Sequence, residues 1–164
     1  MFNIRNYDID FHVKSGSSYV YYLKKNNEIK YVAKHLYYKA KEKFEKETFC
    51  LDILEKYKYF PKIIYRNKNN NYFVMNYCGK LVNKKNLPKN WNEQIKEIKK
   101  ILYDNDIAHG DIKSENICVN NNTIILIDFG NIRFKKDKYF ESKSYEEYVF
   151  RQHSKLDVIM NNLS

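Results

Sequence analysis

Glycine and proline are scarce in this sequence: 164 residues hold only four and two of them. That excludes a collagen-like repeat and a Pro/Gly-rich linker protein. Cysteine is scarce as well. Cys50, Cys78 and Cys118 are widely spaced, form no CxxC pair and cannot all be bridged within the chain. They read as three reduced, mostly buried thiols in a cytosolic protein. No apolar run approaches the roughly 20 residues that a membrane helix needs. The start, Met1-Phe2-Asn3-Ile4-Arg5, lacks the apolar core of a signal peptide, so the chain is expected to stay where it is made. Arginine is nearly missing, with 4 residues against 26 lysines, beside 21 Asn and 16 Tyr. This bias matches an AT-rich coding sequence, so much of the net charge of +10 is compositional. What remains is ample for a core: hydrophobic residues make up 43% and aromatics 16%. A chain of this size is one domain's worth and buries about 70% of its unfolded surface.

The periodicity supplies a coarse order of strands, helix, strands, helix, hairpin and helix. Residues 11–36 read as strands, with a polar turn at Lys24-Lys25-Asn26-Asn27-Glu28 between two runs. Over 39–58 the period changes, with Phe44, Leu51, Leu54 and Tyr57 at roughly helical spacing. Short strands follow at 61–65 and 72–75, then a loop over 79–89. Asn90 is a plausible cap for a helix whose stripe is Ile95, Ile98, Ile101 and Leu102, ending near Asp104-Asn105. Ile117–Val119 and Thr123–Ile127 form a hairpin around Asn120-Asn121-Asn122. A last helix runs from about Ser144 to Leu163, with Tyr148, Gln152, Leu156 and Ile159 or Met160 on one face.

The chemistry concentrates in His109-Gly110-Asp111-Ile112-Lys113-Ser114-Glu115-Asn116, which lies between a helix and that hairpin. Asp128-Phe129-Gly130 stands at the hairpin's far end. A hairpin brings its outer ends together, so Asp111, Asn116 and Asp128 should converge. Two carboxylates and an amide oxygen make a hard-oxygen set suited to magnesium, and magnesium favours phosphate-bearing substrates.

These segments resemble the protein kinase superfamily, whose catalytic loop reads His-x-Asp-x-x-x-x-Asn and is followed by Asp-Phe-Gly. The resemblance implies that Asp111 orients and deprotonates the acceptor hydroxyl, and that Asn116 and Asp128 hold the metal. Gly130 would let the backbone turn after the metal ligand. Lys113 matches the lysine that serine/threonine protein kinases aim at the transferred phosphate, which tilts the resemblance toward protein kinases and away from aminoglycoside phosphotransferases. Val32-Ala33-Lys34 resembles the strand whose lysine reaches the α- and β-phosphates. Glu47 opens a Glu-x-x-x-Leu-x-x-Leu pattern, so it is the expected partner of Lys34, with Glu45 as the alternative. Val74-Met75-Asn76-Tyr77-Cys78-Gly79 resembles the inter-lobe hinge. Met75 would be the gatekeeper, and backbone around Asn76 to Cys78 would meet the adenine edge.

The phosphate-covering loop departs from the pattern. Ser15-Gly16-Ser17-Ser18 carries one glycine where kinases use three, which weakens phosphate binding without abolishing it. Gly110 replaces the arginine that usually precedes the catalytic aspartate, so control through a phosphorylated activation loop is not expected. Only 34 residues follow Gly130, too few for a full activation segment and the later helices. Asp157 on the last helix is a candidate brace for the catalytic loop, with a plain solvated carboxylate as the alternative.

The expectation is therefore an α+β, two-lobed kinase fold of minimal size, a single domain over 1–164. Its β-rich N-lobe spans about 1–76 and its reduced helical C-lobe about 77–164. This plan resembles the minimal kinases of large DNA viruses and secreted bacterial effectors. The implied activity is serine/threonine protein phosphorylation with ATP and Mg2+ as cofactors. The implied place is the cytoplasm, the host's for a viral or secreted protein. The implied partners are a protein substrate with Ser or Thr, and a host protein covering lost C-lobe surface. The alternatives are a catalytically weak binding module and a small-molecule kinase. Nucleic acid ranks last, because no base-stacking or groove-reading motif accompanies the charge.

Overall fold

The computed structural model describes residues 2–15, 18–37 and 40–164. The chain divides into two compact units. The first runs up to Glu55 and adds Pro61–Tyr77; the second comprises Lys56–Phe60 and Cys78–Ser164.

The first unit is an antiparallel sheet with one helix. Its strands are β1 (Asp8–Ser15), β2 (Ser18–Lys25), β3 (Glu28–Leu36), β4 (Ile63–Asn67) and β5 (Tyr72–Asn76), in the order β1-β2-β3-β5-β4. The β2–β3 connection is a two-residue turn, with Lys25 opposite Glu28 and Asn26 and Asn27 at φ 53° and 62°. Both positions need positive φ, and asparagine tolerates it better than most side chains do. The sheet begins three residues earlier than the alternating pattern suggested, because the polar run Asp8-Ile9-Asp10 pairs along the edge of β2. Leu23, Ala33 and Val74 form a buried cluster roofed by Phe2, Tyr7, Tyr31 and Tyr65. Helix α1 (Lys41–Leu54) buries Phe44, Glu47, Thr48, Cys50, Leu51 and Leu54. A carboxylate within that apolar set is the unit's most informative placement.

The second unit holds α2 (Trp91–Asp104), α3 (Tyr145–Leu163) and five short strands. The strands are β6 (Lys80–Leu81), β7 (Ile107–Ala108), β8 (Ile117–Asn120), β9 (Thr123–Leu126) and β10 (Arg133–Phe134). The expected loop over 79–89 thus contains a strand, β6, which pairs with β8. The β8–β9 hairpin turns on Asn121 and Asn122, both at positive φ, so the asparagine runs serve the turns. Helix α2 clamps this hairpin through buried Gln94, whose Nε2 donates to the Asn122 carbonyl (3.0 Å). Gln94 Oε1 in turn accepts from the Ile124 amide (2.8 Å). Lys56–Phe60 belongs here because the Tyr59 carbonyl accepts from the Leu126 amide (3.0 Å) and Phe60 packs edge-on against Phe129. Ser144 caps α3, its Oγ accepting from the Glu147 amide (3.2 Å). Tyr145, Val149, Gln152, Leu156 and Met160 are its buried face. Tyr148, expected on that face, is half-buried beside it. All three cysteines are free and buried.

Candidate active site

The catalytic-loop residues are placed by the outer ends of the β8–β9 hairpin. Ile117 stands opposite Leu126, and the Ile127 amide donates to the Asn116 carbonyl (2.9 Å). Asn116 and Asp128 are therefore brought to the same end of one ladder. The Asn116 side chain is buried, and its Nδ2 donates to both the Asp111 carbonyl (2.9 Å) and Asp111 Oδ2 (3.2 Å). Lys113 Nζ donates to the same Oδ2 at 2.7 Å. That hydrogen bond, helped by the charges of Asp111, Asp128 and Glu115, pushes the lysine above its ordinary pKa, against partial desolvation.

His109 holds the loop down. It is 1% exposed, its Nε2 meets the Ile127 carbonyl at 2.9 Å, and its Nδ1 accepts from the Asp111 amide at 3.3 Å. Those contacts fix the tautomer, with the proton on Nε2. Phe129, also 1% exposed, packs edge-on against the His109 ring at 4.7 Å. The motif signalled the histidine, but its role as the tie between loop and hairpin needed coordinates. Gly110 has a steric reason to be glycine: its φ is +83°, and an added Cβ would lie 2.0 Å from the Asn131 carbonyl oxygen.

Two expectations in this unit are corrected. The turn after the hairpin is made by Asp128 itself, at φ 64° and ψ 72°, and not by Gly130, which has no positive φ. Aspartate is among the few side chains that enter this region readily. Asp157 does not brace the catalytic loop: its carboxylate takes two hydrogen bonds from Lys99 on α2 (2.7 and 2.9 Å) and ties α3 to α2.

In the first unit, Lys34 on β3 donates to Glu47 Oε1 on α1 at 2.7 Å, with side chains 7% and 2% exposed. Glu45 points elsewhere, toward Lys41 at 3.8 Å on the exposed face. Glu47 lies one turn from Leu51 and two from Leu54, which is why it alone reaches the sheet. Met75 is half-buried on β5. The Asn76 amide is spent on the Lys62 carbonyl and the Tyr77 amide on the Lys30 carbonyl (both 3.1 Å). Those two donors are thus engaged within the first unit. The Cys78 thiol lies in the second unit's core with Cys118 and Ile125, where burial, with Cys118 beside it, pushes it up to about 12. Gly16 and Ser17, expected at the phosphates, lie outside the described residues, as does the side chain of Ser15. The β1–β2 ladder closes with Ser15 opposite Ser18.

A model of the RIO domain matches residues 9–155. The chain belongs to the RIO domain family. This is a protein kinase-like family, so the chain is a minimal member of the kinase superfamily. The RIO assignment itself was not legible in the motifs, which are shared more widely. Among relatives, the chain is similar to the provisionally named serine/threonine-protein kinase 040L of Invertebrate iridescent virus 3, 43% identical over 70 residues. That match covers 38% of this chain and 21% of the relative. Among solved structures, it is similar to the Cydia pomonella granulovirus kinase PK-1, with a TM-score of 0.60 at 21% identity. The match covers 80% of this chain and 56% of that one. The chain thus spans about a fifth of the viral relative and just over half of the granulovirus protein. The likeness to PK-1 establishes the α+β kinase-like fold.

Proposed function

We propose that this RIO-family chain is a serine/threonine protein kinase, moving the γ-phosphoryl of ATP to a protein hydroxyl with magnesium as cofactor. One observation carries the reading: Asp111 Oδ2 is held by the Asn116 amide at 3.2 Å and the Lys113 ammonium at 2.7 Å. A carboxylate fixed in this way can orient a hydroxyl and accept its proton. Lys113 is then positioned to offset charge that grows on the phosphoryl oxygens. The buried Lys34 ammonium, aimed by Glu47, serves the α- and β-phosphates.

Asn116 and Asp128 fit a magnesium ion. With Asn116 Nδ2 engaged by Asp111, Oδ1 of the amide is the hard donor that would face a cation, and the Asp128 carboxylate, at the same end of the hairpin, would be the other. When bound, the ion would neutralise charge on the phosphate oxygens. Backbone around Asn76 to Cys78, next to Met75, is the stretch assigned to the adenine edge. A host or partner protein covering lost C-lobe surface, and a cytoplasmic site of action, complete the proposal.

A second reading, a docking module with little catalysis, is favoured by the single glycine between β1 and β2. Differential scanning fluorimetry separates the two. The kinase reading expects magnesium-ATP to raise the melting temperature, Asp128→Ala to abolish the rise, and Asp111→Ala to keep it. Melting that ignores nucleotide in the parent protein supports the docking reading.

A further inference from the structure

The chain has only four arginines, and two of them, Arg133 and Arg151, follow the catalytic loop in the second unit. Arg133 is on β10, directly opposite Ala108 on β7, the strand that leads into His109-Gly110-Asp111. Its guanidinium lies over the Tyr139 ring at 5.1 Å. Lys143 covers the same ring at 4.4 Å, so one tyrosine carries two cations. Tyr139 packs in turn on Tyr148 of α3, at 5.6 Å between ring centroids. Tyr148 also packs against the buried cluster of Ala108, Tyr145 and Val149, which anchors this end of α3 to the catalytic strand. Arg151 follows Tyr148 by three residues, hence on the same side of the helix. The electrostatics agree: the Tyr148 hydroxyl, raised mainly by burial, feels Arg133 and Arg151 as well as Asp111. Three cations and two aromatic rings thus gather beside the strand that leads into Asp111.

Two of the nearby carboxylates are engaged by other groups. Glu146 is taken by Lys135 at 3.1 Å, and Asp137 Oδ2 accepts from the Phe134 amide at 2.9 Å. Glu147 remains on the α3 surface beside Arg151, whose Nε reaches the Glu147 backbone carbonyl at 3.4 Å. The stacking matters for the chemistry. A guanidinium lying on a tyrosine is held in place without being neutralised, so its edge keeps its donors for a carboxylate or phosphate.

We infer that Arg133, Lys143 and Arg151, mounted on Tyr139 and Tyr148, form a substrate-side anion site that selects protein segments with acidic side chains flanking the acceptor hydroxyl. This specificity rests on the kinase reading above; the binding itself does not. An acidic peptide is favoured over RNA because the cations follow the proposed acceptor site and the Tyr139 ring is already occupied by Arg133 and Lys143.

The test uses the full chain and measures peptide binding by fluorescence anisotropy, without nucleotide. The probes are a short serine peptide with flanking glutamates, its glutamine counterpart, and a single-stranded RNA. The expected result is binding of the acidic peptide about tenfold tighter than its neutral twin, falling as salt rises. Arg151→Glu, on the exposed helix surface, should erase the preference, and Arg133→Lys should retain part of it. Equal binding of both peptides overturns the inference, as does an undiminished preference in folded Arg133→Gln/Arg151→Glu protein. RNA binding tighter than the acidic peptide, lost in the same variants, also overturns it. Phosphotransfer to both peptides is measured in parallel. Selective binding without transfer upholds the anion site and sinks the kinase reading; transfer without selectivity does the reverse.

Discussion

Replacing Lys34 by methionine perturbs an ion pair that is both short and deeply buried. Lys34 and Glu47 are 2.7 Å apart with side chains 7% and 2% exposed, so neither charge is well hydrated. Methionine keeps most of the aliphatic stem but removes the ammonium, leaving a carboxylate within the apolar face formed by Phe44, Leu51 and Leu54. Breaking a buried pair from one side costs about 3–5 kcal/mol, because the survivor keeps its desolvation penalty. For a chain of this size that corresponds to a fall in melting temperature of about 6–20 °C. The double variant Lys34→Met/Glu47→Leu removes both charges and should recover to within about 1 kcal/mol of the parent protein. Urea unfolding followed by far-ultraviolet circular dichroism measures all three proteins, and phosphotransfer should be lost in both variants. A single variant within about 0.5 kcal/mol of the parent, or a double variant no better than the single, would refute the reasoning.

Three further outcomes follow from the second unit. Gly110→Ala should destabilise by at least about 1–3 kcal/mol, because φ of +83° disfavours a side chain and the new Cβ meets the Asn131 oxygen at 2.0 Å; an unchanged melting temperature would contradict that geometry. Phe129→Ala should cost about 3–5 kcal/mol, since a ring packed between Phe60 and His109 leaves a cavity and frees the loop anchor; chemical denaturation reads it directly. His153 is held down at about 4, chiefly by burial and then by the nearby Lys99 charge, against an ordinary 6.5. The unfolded chain therefore takes up a proton first, so stability is intact above about pH 6.5 and falls toward pH 4, by about 1–2 kcal/mol after allowance for partial exposure. His153→Gln should flatten that part of the melting-temperature profile, and parallel profiles would exclude the histidine as its source.

The Asn116–Asp128 half of the candidate site could be anticipated from the sequence because its spacing encodes its geometry. A tight hairpin between Asn116 and Asp128 leaves those residues few places to be except together. Glu47 was legible for the same reason, since helical spacing puts it and not Glu45 on the sheet side. The two-residue strands β7 and β10 were not, because a strand so short has no period to detect. Nor was the transfer of Lys56–Phe60 to the second unit, which depends on the distant Leu126 and Phe129. Gly110 was noticed as a missing arginine; only the approach of the Asn131 carbonyl shows why no side chain fits. Asp157 had the right charge for a brace, but the lysine that claims it lies 58 residues earlier on another helix.

The central claim is that Asp111 serves phosphoryl transfer. Purified parent protein and Asp111→Asn should be incubated with γ-labelled ATP, magnesium and a serine-containing protein acceptor. Label should appear on serine or threonine with the parent, and fall by about 100- to 10,000-fold in Asp111→Asn while magnesium-ATP binding persists. Equal labelling by both proteins, or none by a parent that binds magnesium-ATP, would contradict the account.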